Sequence, residues 1–73
     1  MKNFNDFLLK MLDLVNNSSN DISIKLASQK GHVIDVLVSV DDDVVADTSL
    51  NVIDFSKEVG KAGKIIDVIR EHC

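Results

Sequence analysis

The chain has no Trp and no Tyr, and only three Phe among its 73 residues. Few side chains are therefore at hand to stack on flat ligands or bases, and a core has to be built from Ile, Val and Leu. Cysteine occurs once, as Cys73. A single thiol closes no internal disulfide, so the expected setting is a reducing one, the cytoplasm. Long apolar runs are missing too. Lys10 and Asp13 interrupt the run from Phe7 to Val15, and no small-residue cleavage site follows it. Neither a secretory signal nor membrane association is expected.

The residue patterns of common chemistries are also missing. The chain holds no nucleophile elbow, P-loop, zinc spacing or dinucleotide fingerprint. Asp41-Asp42-Asp43 suggests a calcium loop. With Asp41 as its first residue, however, Ala46 falls where Gly is needed and Val52 where a bidentate Glu is needed. A solvated loop is the expectation there. His32 and His72 are far apart in sequence. His32 is expected to be exposed at a hairpin edge, and His72 to complement the dipole near a helix C-terminus. Cys73 has no evident base partner. No enzyme activity, no cofactor and no metal is expected.

What is present fits one small α+β domain spanning residues 1–73. The apolar fraction of 45% is ample for a folded chain. A core of this size is marginal, so a homodimer or a protein partner would help it. The net charge is −4, which argues against a broad electrostatic grip on nucleic acid. The charge is uneven, however. Lys57, Lys61, Lys64 and Arg70 gather in the last quarter, and the acids concentrate elsewhere, above all at residues 41–43.

In chain order, Phe4, Phe7, Leu8, Met11, Leu12 and Val15 share one face at helical spacing, which predicts a helix over residues 4–15. Asn3 with Asp6 three residues later is a capping pattern, and residues 16–20 read as a turn. Ile22, Ile24 and Leu26 alternate with polar residues and predict a strand. Ser28-Gln29-Lys30-Gly31 reads as a hairpin loop with positive φ at Gly31. A second strand runs from His32 to Val40, with Ile34, Val36, Val38 and Val40 inward. Its other face carries Val33 and Leu37 beside Asp35 and Ser39, and is apolar enough to meet a partner, a strand or RNA bases. Val44-Val45-Ala46 reads as a short third strand. Thr48 or Ser49 is expected to cap a helix that packs Val52, Phe55 and Val59 inward. The expected order is α-β-β-(short β)-α-α, a small antiparallel sheet packed on helices.

The most distinctive stretch is Val59-Gly60-Lys61-Ala62-Gly63-Lys64, followed by Ile66, Ile69 and Arg70. It resembles the signature of the KH domain: an apolar residue, GxxG, a basic residue, then Ile-x-x-Ile. The element order is also similar to that of small bacterial single-KH RNA-binding proteins, although the usual final strand is missing. The stretch between Val40 and Gly60 is longer than the compact spacing that the family leads one to expect. The resemblance implies a loop at Gly60–Gly63 between two helices that clamps the backbone of single-stranded RNA. It implies that Gly60 and Gly63 admit a phosphate, that Lys61 and Ala62 form the tip, and that Lys57, Lys64 and Arg70 hold the backbone. Ile66 would then be shared between core and groove floor.

A plainer reading competes with it. Val52, Phe55, Val59, Ala62, Ile66 and Ile69 are spaced 3, 4, 3, 4 and 3 apart, as on one face of an unbroken helix, the glycines being packing residues. Two further functions go with other readings. One is a small acidic adaptor or inhibitor, without nucleic-acid binding, that offers Asp41–Asp43 to a basic partner. The other takes three strands and one continuous last helix, an order that resembles the double-stranded-RNA-binding domain. Ser56-Lys57 and Lys61 are loosely similar to the basic start of that family's last helix.

Overall fold

Asn3 starts the first helix. In the computed structural model, which describes residues 1–73, its Oδ1 accepts the Asp6 backbone N–H at 2.9 Å. The Asp6 carboxylate accepts the Lys2 N–H at 3.0 Å. One backbone donor that a helix start leaves open, the Asp6 N–H, is thus satisfied, the Lys2 contact ties down the residue before the cap, and an acid sits in the favourable first turn. Helix α1 (Phe4–Asn16) follows and buries Phe7 and Met11. It stops at Asn17, whose side-chain amide donates to the Asp13 carbonyl at 2.9 Å.

Three strands form one antiparallel sheet in the order β1-β2-β3: β1 (Ile22–Gln29), β2 (Val33–Val40) and β3 (Asp43–Asn51). The pairing of Gln29 with Val33 leaves Lys30-Gly31-His32 as the first turn. Gly31 has φ +80° and His32 +61°, so the expected positive φ at Gly31 is present. The strand before it runs to Gln29, because Ser28 and Gln29 still pair with Ile34 and Val33.

The second turn corrects the reading of residues 41–51. Asp41 and Asp42 have φ of +50° and +70° between the paired residues Val40 and Asp43. They form a two-residue hairpin turn of the twist that matches the strands, and Asp is among the few non-glycine residues that tolerate this backbone. The third strand is nine residues long, not a short one at residues 44–46. Thr48 and Ser49 lie within it and cap no helix. Their place was obscured by a bulge: Val38 pairs with Ala46 and Ser39 with Val44, so Val45 is unpaired and the alternation changes phase there.

After β3 the chain makes one 3-10 turn (Phe55–Lys57) and enters α2 (Val59–Glu71). The helix break lies at Glu58, ahead of the glycines. Gly60-Lys61-Ala62-Gly63 forms the start of α2 and not a loop between two helices. The Ala62 N–H donates to the Glu58 carbonyl at 2.9 Å, a bond of helical spacing. The described order is therefore α-β-β-β-α, an α+β fold with a small antiparallel sheet.

Both helices cover one face of the sheet. The even-numbered residues of β2 point toward them, and Val36, Val38 and Leu50 are fully buried there with Ile22, Ala62, Ile65, Ile66 and Ile69. Each large side chain so buried contributes about 1.5–3 kcal/mol relative to exposure. Phe4, Phe7 and Phe55 form a triangle with centroids 5.9–6.3 Å apart, which joins the start of α1 to the turn before α2. At the other end, the Asn20 side chain donates to the His72 carbonyl, and Cys73 Sγ lies 3.7 Å from the Leu14 carbonyl. The two helices therefore run side by side in the same direction. Val59, expected inside, is 40% exposed, and Val52 is half-buried.

Candidate nucleic-acid interface

Because both helices start at one end of the sheet, that end collects three segments. The first turn, Lys30-Gly31-His32, lies there because β2 begins there. The exit of β3 is tied to it by a 2.9 Å hydrogen bond from the Val52 N–H to the His32 carbonyl. The start of α2 follows directly. The exposed cationic side chains of this end are Lys2, Lys30, Lys57, Lys61 and Lys64. His32 is exposed beside them.

Lys61 is the best-positioned of these. Its Nζ lies 3.4 Å from Glu58 Oε2 and 3.4 Å from the Ser49 carbonyl, yet the side chain remains 56% exposed. Glu58 also accepts the Asn51 N–H at 3.4 Å and does not cap the helix with its side chain. The first turn of α2 carries no acid of its own; the nearest carboxylate is that of the N-cap residue Glu58, which pairs with Lys61. Lys61 and Lys64 border a groove of about 290 Å³ between α2 and β3, whose other walls include Asp47, Thr48, Ile65 and Val68.

Of the seven residues the GxxG pattern singled out, the structure brings Lys57, Gly60, Lys61 and Lys64 to one exposed surface. Ala62 is not among them. It is fully buried with Ile65 and Ile69, because a helix starting at Val59 turns it inward. Ile66, at 3% exposure, belongs to the core and forms no groove floor. Gly63 is half-buried, and a Cβ at Gly60 or Gly63 would meet nothing within 4 Å. The glycines are thus not required by tight packing either. Arg70 lies nine residues beyond Lys61, hence on the opposite side of the helix and about 13 Å further along it.

Lys30 and His32 were missed as members of this surface. Only the full length of β3, which carries the chain back to the first turn, places them near Lys57 and Lys61. The acids of residues 41–43 lie at the far end, where the Asp41 N–H donates to the Asp21 carbonyl at 3.0 Å. His72 is half-buried in the last stretch of the chain, with Nδ1 2.9 Å from the Val68 carbonyl. No group of three or more His, Cys, Asp or Glu is arranged to hold a metal ion. No helix is long and apolar enough to cross a membrane.

No family model matches the chain, and no curated protein or solved structure matches it.

Proposed function

We propose that the chain is an RNA-binding module whose ligand is double-stranded RNA. Lys57 just before α2, Lys61 and Lys64 in its first turns, and Lys30 with His32 in the β1–β2 turn meet its phosphates and 2′-hydroxyls. The observation that carries this reading is the α-β-β-β-α order with both helices starting at one end, which sets a basic helix start beside a basic turn. Of the orders considered from the sequence, it is the one that resembles the double-stranded-RNA-binding domain. Such modules read A-form shape and backbone rather than bases, and need no aromatic platform.

The aromatic inventory supports the duplex over the single strand. Phe7 and Phe55 are buried, and Phe4 is packed against both, so no aromatic ring is left to stack an unpaired base. The GxxG resemblance, which pointed to single-stranded RNA, requires an open loop where α2 has its first turns. With few phosphates contacted and a net charge of −4, binding is weak, and its salt slope is shallow, about 0.9 for each phosphate neutralised.

The test is fluorescence anisotropy at low salt with one sequence presented as duplex RNA, single-stranded RNA and duplex DNA. Duplex RNA is expected to bind best. The double change Lys61→Ala, Lys64→Ala is expected to lower the slope of log affinity against log salt by about 2. Gly63→Ala is expected to leave affinity unchanged and to stabilise the fold by about 1 kcal/mol. Tighter binding of the single strand, abolished by Gly63→Ala, would restore the GxxG clamp. Absence of binding to any of the three would leave the acidic-adaptor reading.

A further inference from the structure

We infer that β1 is a self-pairing edge, through which two copies of the chain join their sheets about a two-fold axis at Leu26. The Asp41 N–H bonds the Asp21 carbonyl, which makes that a hydrogen-bonded pair of the antiparallel ladder. Counting inward by twos, Ser23, Lys25, Ala27 and Gln29 direct their backbone groups to β2. Ile24, Leu26 and Ser28 direct theirs outward, to an edge that no element of the chain covers.

The two edges of the sheet differ. The β3 edge is broken by its bulge, carries Asp43 and Asp47, and has its Ser49 carbonyl occupied by Lys61. These are the devices that discourage edge pairing. The β1 edge has an unbroken register over eight residues, no proline, and one charge, Lys25. Its helix-side residues are also under-covered: Ile24 is half-buried and Leu26 is 44% exposed, although its partner Val36 is fully buried. The inner face of the sheet therefore runs out from under α1 at this strand, and Leu12 on α1 is exposed at 48%.

Register and charge select the occupant. Two copies paired antiparallel must keep their helix-side residues on one face, so opposed residue numbers sum to an even value. A centre at Lys25 would set the two Lys25 side chains against each other. A centre at Leu26 opposes Leu26 to Leu26, Ile24 to Ser28, Lys25 to Ala27 and Ser23 to Gln29, with no like charges directly opposite each other. It also brings Asp21 of each copy level with the Lys30-Gly31-His32 turn of the other, an acid against a basic turn on both sides of the axis. The start of α2 lies on the β3 side and stays free. The inference does not depend on the RNA reading, and its test contains no RNA.

Sedimentation equilibrium of the RNA-free chain up to millimolar concentration is expected to give a monomer–dimer equilibrium, with slowed hydrogen exchange at Ile24, Leu26 and Ser28. Leu26→Lys removes the apolar contact and opposes two ammonium groups, and is expected to weaken self-association about a hundredfold or more. Leu26→Pro removes only an outward N–H, leaves the β1–β2 ladder bonds in place, and is expected to give a folded monomer by circular dichroism. A monomer throughout the range would overturn the inference. So would a dimer that survives both changes, or one in which those amides exchange as fast as an open strand.

Discussion

Asp42 holds a backbone conformation, φ +70°, that costs most side chains energy and that glycine adopts freely. Its neighbours Asp41 and Asp43 add like charge at short range. Asp42→Gly converts the turn to Asp-Gly, a favoured pair for this hairpin, and removes one of three adjacent carboxylates. The change is expected to stabilise the fold by about 0.5–1 kcal/mol, read as a rise in Tm of several degrees. A fall in Tm would mean that the Asp42 side chain holds the turn. The same residues show why the acids were hard to read. A run of three aspartates resembles a solvated loop or a cation site, and only the backbone angles reveal a tight turn. Gly31 was legible because it is the lone glycine near a strand boundary, whereas the positive φ at His32 has no compositional signal.

At the scale of the element, α1 was legible nearly to the residue, because a cap, a clean apolar face and a terminating Asn run coincide. The second strand was legible because every second residue from Ile34 to Val40 is apolar and β-branched. β3 was not, since the bulge at Val45 shifts its phase and Thr48-Ser49 has the chemistry of a helix cap. The start of α2 was misplaced because two glycines suggest a break, while nothing in composition marks Glu58 as the real one. The burial of Ala62 turns that difference into a measurement. An open loop tip at residues 61 and 62 would tolerate Asp at either position. In the helix, Ala62 lies among Ile65, Ile66 and Ile69, where a carboxylate finds no partner. Ala62→Asp is expected to cost more than about 3 kcal/mol, enough to unfold most of a domain this small, while Lys61→Asp keeps the fold and loses RNA affinity. Equal melting temperatures for the two variants would show that the segment is a loop after all.

The whole molecule is electrically lopsided, and this decides how a chain of net charge −4 can hold a polyanion. Its long axis is 34 Å, with the lysine-bearing end and the Asp41–Asp43 turn at opposite ends. Along β3, Ser49, whose carbonyl Lys61 meets, is about 20 Å from Asp43, and Asp47, which borders the groove with Lys64, is about 13 Å from it. At physiological ionic strength the screening length is about 8 Å, so the acidic turn, about two such lengths away, is largely screened from an anion docked on Lys61 and Lys64. At 0.01 M salt it is about 30 Å, and the turn repels across the whole molecule. Replacing Asp41, Asp42 and Asp43 together by Asn is therefore expected to leave duplex affinity within about twofold at physiological salt, and to raise it several-fold at 0.01 M. An anisotropy titration of the triple variant at both salts makes the measurement. A large gain at physiological salt would place the acids within the contact surface and contradict the end-to-end separation of charge. Equal affinity at both salts would mean that the lysines of α2 are not gripping phosphates, because a contact of that kind has to weaken as salt rises.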